Sequence, residues 1–359
     1  MTYKLIQVGT GGHGASWCRH FLPPNVADGL VEVVAAVDTN PDALQNAREG
    51  LGLRADQCYT DIARAFDENR ADFCTIVVPP TAHEAVVDLA LAHDLHILSE
   101  KPIADTLAAS VRIAKKVRQA GKKMAVTMSH RFDQDKATLR QELRSGRSGP
   151  LDYLACRFTA EVRRFGGYTH GVYREDDPLM VQMAVHHLDI LADLAGAPCE
   201  TIYAQTWNPA WSEFRGDVQG MALLRFANGV RASYEAANAN AVGLNGWGQE
   251  YIRAECERAT LILDHRRLEK FPYDSTVRGA ARREGEGEAV PLLTQPKWAN
   301  AWLIEQFVRW LDGGPPMETE VEANLQSVAL FAAGIQSSRT GQPVAVQEML
   351  NNSLSETSP

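Results

Sequence analysis

The stretch Lys4-Leu5-Ile6-Gln7-Val8-Gly9-Thr10-Gly11-Gly12-His13-Gly14 decides how the chain is read. An apolar run, KLIQVG, reads as a strand, and G-x-G-x-x-G from Gly9 to Gly14 follows it directly and opens a helical pattern. That is the context in which the motif carries meaning. Gly9 suits a tight turn, Gly11 lets the backbone approach a pyrophosphate, and Gly14 lets the next helix pack close to the sheet with its N-terminal amides toward phosphates. Asp38 ends the following strand-like run, Val31 to Asp38, roughly 20 residues beyond the glycines, where a carboxylate accepts both hydroxyls of an adenosine ribose. The same charge repels a 2′-phosphate, and Thr39-Asn40-Pro41 offers no arginine to receive one, so the expected cofactor is NAD rather than NADP.

Outward from this stretch, DFCTIVV (Asp72 to Val78), LHILSE (Leu95 to Glu100) and KMAVTM (Lys123 to Met128) are further short apolar runs separated by helical patterns. Continuous hydrophobicity suits strands covered on both faces, so the first 128 residues read as a parallel sheet with crossover helices. Pro23-Pro24 reads as the stop of the first helix. From Leu151 the texture changes to longer alternating segments. Val218, Gly220, Ala222, Leu224 and Phe226 share one face of a strand, and Asn228-Gly229 reads as a two-residue type I′ hairpin loop into VRASYEA. Strands are also expected at Leu151 to Val162, Glu200 to Trp207, Gln249 to Cys256 and Thr260 to Leu263, and helices near Leu179 to Ala195, Lys297 to Leu311 and Thr319 to Arg339. The expected organisation is an α/β dinucleotide-binding domain over residues 1–129, a mainly antiparallel α+β domain over 130–347, and a loose tail over 348–359. GAARREGEGEAV, 279–290, reads as a charged loop or sheet-edge excursion.

Composition narrows the classes. With 36 Lys plus Arg against 45 Asp plus Glu, the net charge of −9 repels the nucleic-acid backbone, so no nucleic-acid partner is expected. The apolar runs are shorter than a membrane span, and the first strand begins too early to leave room for a cleavable signal, so a cytoplasmic protein without a membrane partner is expected. The six cysteines show no C-x-x-C pair and read as reduced thiols.

Val77-Val78-Pro79-Pro80-Thr81-Ala82-His83 follows one strand and Ser99-Glu100-Lys101-Pro102 the next; with Arg131-Phe132 and Val185-His186-His187-Leu188-Asp189, they resemble the Gfo/Idh/MocA family of sugar and inositol oxidoreductases. The resemblance spans nearly the whole chain. It implies an N-terminal Rossmann domain, a C-terminal α+β domain with a large open sheet, and NAD(P)-dependent hydride transfer at a hydroxyl of a sugar, cyclitol or derivative. It further implies a homodimer or homotetramer built through the open sheet. By the same resemblance Lys101 and His186 are the catalytic pair, and Gly9, Gly11, Gly12, His13, Gly14, Asp38, Pro79, His83, Glu100 and Lys101 form the cofactor set.

The chemistry agrees with these roles. A histidine titrating near neutrality accepts a hydroxyl proton, and a lysine steadies the developing alkoxide. Arg131, Arg164, Tyr168, Gln182 and His187 are the expected substrate contacts. His187 stands about 100° round the helix from His186, facing either substrate or core. Gln182 stands four residues before His186, where inositol-dehydrogenase-like members carry an aspartate, and Gln182, His186, Asp189 and Asp193 fall on one stripe if the helix is regular. Arg163, Arg164, Tyr168, His170, Tyr173 and Arg174 crowd the preceding loop, either as an anion-recognising cluster or as a solvated rim. Trp247 either stacks on a sugar face or caps the sheet. His186, His187 and Asp189 lack a third ligand cluster at suitable spacing, so no metal is expected. Two alternatives stay open, an NAD-retaining glycosidase that oxidises transiently and a non-catalytic NAD(P) sensor.

Overall fold

The computed structural model describes residues 1–169, 171–279 and 281–356. Its contacts divide the chain into two compact units, described separately.

The first unit comprises Met1–Ser129 together with 297–328 and 353–356, so a single cut after residue 129 does not delimit it. Its sheet contains β1 (Tyr3–Val8), β2 (Val31–Val37), β3 (Cys58–Tyr59), β4 (Phe73–Ile76), β5 (His96–Ser99) and β6 (Met124–Val126). They pair in the order β3-β2-β1-β4-β5-β6, all parallel. This is the doubly wound order whose reversal point lies beside the first strand, at the carboxyl ends of the strands. The central strands are buried on both faces, with Leu5, Ile6, Phe73, Cys74, Ile76, Ile97 and Leu98 inaccessible to solvent. Thr106 caps the helix Leu107–Gln119 by accepting from the Ala109 amide, and Val111, Ile113, Ala114 and Val117 on that helix are buried.

The first helix runs on through Pro23 and Pro24 rather than stopping there. Its opening turn, His13–Ser16, passes into a π turn over Trp17–Phe21 and then into Leu22–Ala27. The Leu22 amide reaches back five residues to the Trp17 carbonyl. This wider turn relieves the usual clash between a proline ring and the carbonyl four residues earlier, and the Asn25 side chain donates to the Phe21 carbonyl.

The second unit comprises His130–Pro296 and Ala329–Asn352. Its sheet contains β7 (Leu151–Thr159), β8 (Cys199–Trp207), β9 (Gln219–Phe226), β10 (Arg231–Ala237), β11 (Tyr251–Cys256), β12 (Ala259–Asp264), β13 (Arg267–Pro272), β14 (Glu288–Val290) and β15 (Val344–Ala345). Among the described residues the order is β14-β13-β12-β11-β7-β10-β9-β8-β15, antiparallel except where β7 meets β10. The β9–β10 connection differs from the expected two-residue loop. Register pairs Arg225 with Arg231, and the Phe226 amide donates to the Val230 carbonyl, leaving three residues, Ala227 to Gly229, in the loop. Of these only Gly229 has positive φ, as a three-residue loop with a left-handed final residue requires. β14 places the end of the charged segment at the sheet edge; Ala280 lies outside the described residues.

The tail is also not loose where it is described. Val346–Glu356 is a helix, with Val346, Met349, Leu350, Ser353 and Leu354 less exposed than its other face.

Candidate functional site

In the first unit, β1 delivers the glycine loop to the carboxyl edge of the sheet. Gly9 has φ of 87°, and a Cβ there would lie 1.9 Å from the Val77 carbonyl oxygen; a Cβ on Gly14 would lie 2.4 Å from the Gly9 carbonyl oxygen. Both positions therefore require glycine, the first for the turn and the second for close helix packing. Gly12 immediately precedes the helical run that starts at His13. Gly11 faces Asp38, whose carboxylate lies within 3.5 Å of where a Cβ would stand.

Asp38 shapes this loop directly. Its Oδ2 accepts from the Thr10 and Gly11 amides at 2.8 and 2.9 Å, and its Oδ1 accepts from the Asn40 amide at 2.9 Å. The carboxylate expected at the ribose thus also holds the loop meant for the pyrophosphate. Because an ionised carboxylate accepts about four hydrogen bonds, capacity for ribose hydroxyls remains on Oδ1.

Pro79 precedes a short 3₁₀ turn, Pro80–Ala82. The structure gives His83 a place other than the cofactor. Its ring is wholly buried, with Nδ1 3.1 Å from the Ile103 carbonyl and Nε2 2.9 Å from the Val78 carbonyl. It ties the turn after β4 to the turn after β5, and burial pushes its pKa down against the pull of those carbonyls.

Glu100 anchors the second of these turns. Its Oε1 accepts from Trp17 Nε1 at 2.8 Å and Asn300 Nδ2 at 3.2 Å and meets His13 Nε2 at 3.2 Å, while the Lys101 amide donates to Oε2 at 3.2 Å. Burial opposes ionisation, but the His13 hydrogen bond, the His13 and Lys101 charges and the Trp17 hydrogen bond prevail and hold the carboxyl at about 2. His13 is correspondingly raised by Glu100 despite its own desolvation. The Glu-Lys-Pro element therefore fixes the Lys101 backbone through a buried anion.

In the second unit, the histidine-bearing helix begins as a π turn, Leu179–Ala184, before the regular Val185–Ala195. The change of pitch breaks the simple four-residue spacing on which the expected stripe rested. Gln182 donates to both carboxylate oxygens of Glu175, at 2.9 and 3.2 Å. His186 is buried, its ring 4.3 Å from that of His130 with 32° between planes, and Trp247 meets it edge-on at 5.5 Å. His187 turns into the core: its Nδ1 lies 2.8 Å from the Tyr234 hydroxyl, and its ring stacks on Phe158 and Trp247.

Asp189 is buried and Asp193 half-buried, its side chain only 5% exposed, rather than on a solvated face. Arg131 donates from Nε at 2.7 Å and from Nη2 to the two oxygens of Asp189, a bidentate pair, and Asp193 gathers Arg144, Arg140 and Arg131 at 3.1, 3.5 and 3.8 Å. Arg131, expected at substrate, therefore braces this helix. Of the loop residues, Arg164 pairs with Glu213 at 3.1 Å and Arg163 with Glu161 at 3.1 Å, and Tyr173 is buried with its hydroxyl donating to the Val162 carbonyl. Tyr168 accepts from Trp247 Nε1 at 3.0 Å, and burial pushes its phenol up to about 12. His170 lies outside the described residues.

His130 and Glu250 escaped the sequence reading. Glu250, inaccessible to solvent, accepts from Lys136 Nζ at 2.6 Å and from the Gly248 amide at 3.1 Å. No spacing marks it, since its partners come from the turn after β6 and from the helix Gln134–Arg144.

The strand order and glycine loop of the first unit define a dinucleotide-binding Rossmann fold. The chain belongs to the Gfo/Idh/MocA oxidoreductases: the model described as "Oxidoreductase family, NAD-binding Rossmann fold" matches residues 5–128, and that described as "GFO/IDH/MocA C-terminal domain" matches residues 137–262. It is 54% identical over 353 residues, 98% of either chain, to a Sinorhizobium fredii protein named "Uncharacterized protein y4oX". It is 28% identical to an inositol 2-dehydrogenase of Corynebacterium glutamicum over 65% of this chain and 67% of that one. An oxidoreductase of Agrobacterium radiobacter, solved with NAD+, L-tartaric acid and magnesium, has the same fold, with a TM-score of 0.81 at 20% identity over 97% of this chain and 99% of that one.

Proposed function

We propose that the protein oxidises a secondary hydroxyl of a sugar, cyclitol or sugar derivative, with NAD as acceptor and with Lys101 and His186 handling the proton. The observation that carries this reading is the position of Lys101 at the carboxyl end of β5, the same sheet edge to which β1 brings the glycine loop. In doubly wound sheets that edge is where ligands bind. The residues fit the cofactor, since a Cβ at Gly9 or Gly14 would strike backbone and collapse the loop. NAD, when bound, supplies the hydride acceptor. The Lys101 ammonium steadies the alkoxide formed as the hydroxyl loses its proton, and neutral His186 accepts that proton at an imidazole nitrogen.

Asp38 favours NAD over NADP because a 2′-phosphate would meet its carboxylate. Tyr168, Gln182 and Arg164 are the proposed substrate contacts of the second unit, while Arg131 braces the histidine helix through Asp189 and His187 stacks on Trp247. A screen of inositols, aldoses and uronates with NAD tests the reading. Reduced nicotinamide accumulating with one of them supports it. Bond cleavage without net reduction points to the hydrolase, and tight NAD binding without turnover points to the sensor.

We further propose a homodimer or homotetramer formed through the outer face of the second unit's sheet. Met221 and Leu223 stand there 58% and 61% exposed beside Tyr203 and Tyr251, an apolar composition unusual for a solvated face. Light scattering of Leu223→Glu would show dissociation. The protein is proposed to act in the cytoplasm: among the described residues no helix is long and apolar enough to cross a membrane, and all six cysteines are free thiols.

A further inference from the structure

Three side chains far apart in sequence converge in the second unit. His130 comes from the turn after β6, His187 from the helix Val185–Ala195, and Glu250 from the residue before β11. One donor atom from each lies within 4.8 Å of the other two, and the Glu250 Oε1 atom stands 3.4 Å from His130 Nδ1 and 3.7 Å from His187 Nε2. Neither of those nitrogens makes a hydrogen bond, although His187 is completely buried. A buried ring nitrogen aimed at a carboxylate oxygen without bonding it lacks the compensation that buried polar atoms ordinarily have.

The spacing suits a metal. Ligands about 2.0–2.1 Å from a tetrahedral zinc are separated from one another by about 3.4 Å. The surroundings supply the supporting contacts such a site needs. The other nitrogen of His187 is held by the Tyr234 hydroxyl at 2.8 Å, which orients the ring. Charge points the same way. The buried ammonium of Lys136 lies 2.6 Å from Glu250, 3.3 Å from Asp133 and 3.5 Å from Asp135, so three carboxyl groups surround one cation. A divalent ion beside Glu250 offsets that excess.

We infer that His130, His187 and Glu250 form a binding site for a zinc-class divalent cation, with a fourth coordination position for water or a substrate oxygen. Two imidazole donors select this class over magnesium or calcium, which prefer oxygen. This departs from the sequence expectation of no metal: Asp189 is taken by Arg131, and the ligands that join His187, namely His130 and Glu250, lie in distant segments. The site does not rest on the hydride-transfer reading, because it is measured without turnover.

The test uses untagged full-length protein, stripped with a chelator, equilibrated with zinc chloride, passed through gel filtration and assayed for metal by mass spectrometry. A parallel sample receives cobalt chloride. The expected result is about one zinc per chain and visible cobalt absorption of the tetrahedral type. Glu250→Gln and His130→Asn should each weaken retention about tenfold or more, while His186→Asn keeps it. His130 sits on a partly exposed turn, so His130→Asn serves if Glu250→Gln fails to fold, with circular dichroism confirming the fold. No zinc retained by the folded wild type, or equal retention by the folded variants, overturns the proposal.

Discussion

Glu100→Gln tests the anchoring of the Glu-Lys-Pro turn. The carboxylate is buried and meets Trp17, Asn300, His13 and the Lys101 amide, and its pKa is held at about 2 against an ordinary 4.5. A carboxyl depressed in the folded state contributes stability that is present above its unfolded pKa and lost as pH falls through the folded one. The depression corresponds to about 3 kcal/mol at neutral pH. Glutamine keeps the shape but not the charge, so Glu100→Gln should lose about that much at pH 7, and the gap to wild type should narrow as pH falls from about 4.5 toward about 2. His13 acts in the opposite sense. Its raised pKa gives stability that is full below 6.5 and lost as pH rises through the folded value, so in wild type a smaller loss should appear on the alkaline side and be absent from the variant. Urea denaturation followed by circular dichroism at a series of pH values measures both. A gap that stays constant down to acid pH would refute the role given to the buried charge.

Asp189→Asn should cost about 3 kcal/mol, the low end for removing one partner of a buried pair, because Asp193 still stands 3.8 Å from Arg131; equal urea midpoints for wild type and variant would contradict it. Gly14→Ala places a methyl 2.4 Å from the Gly9 carbonyl oxygen and should weaken NAD binding by calorimetry, with a stability cost of about 1–3 kcal/mol. Asp38→Ser with Thr39→Arg should narrow or reverse the NAD preference measured as kcat/KM, and an unmodified protein that favours NADP would sink that assignment.

The cofactor unit was legible because its signals are local. Gly9, Gly14 and Asp38 sit at strand ends marked by apolar runs, and the positions of five strands followed from those runs. β3 escaped because two residues, Cys58 and Tyr59, carry no period. The π turns at Trp17–Phe21 and Leu179–Ala184 were invisible for a related reason: hydrophobic spacing reports a regular pitch, so the stripe through Gln182 and His186 assumed a helix that the chain does not form there. The terminal helix did leave a signal, the spacing of Val346, Met349, Leu350, Ser353 and Leu354, which the polar composition of the segment masked. Glu250 and His130 left none. Their partnership depends on β11 pairing with β7 beside the histidine helix, and single acids in loops are ordinarily solvated.

Following reduced nicotinamide in wild type, Lys101→Ala and His186→Ala on whichever polyol the screen identifies tests hydride transfer to NAD with Lys101 and His186 managing the proton. The expected result is NAD-dependent turnover in wild type, a loss of about 10²- to 10⁴-fold in kcat for each variant, and NAD affinity within a few-fold of wild type in both. Turnover that survives intact in both folded variants, or a wild-type protein that binds NAD and reduces none with any polyol of the panel, would contradict it.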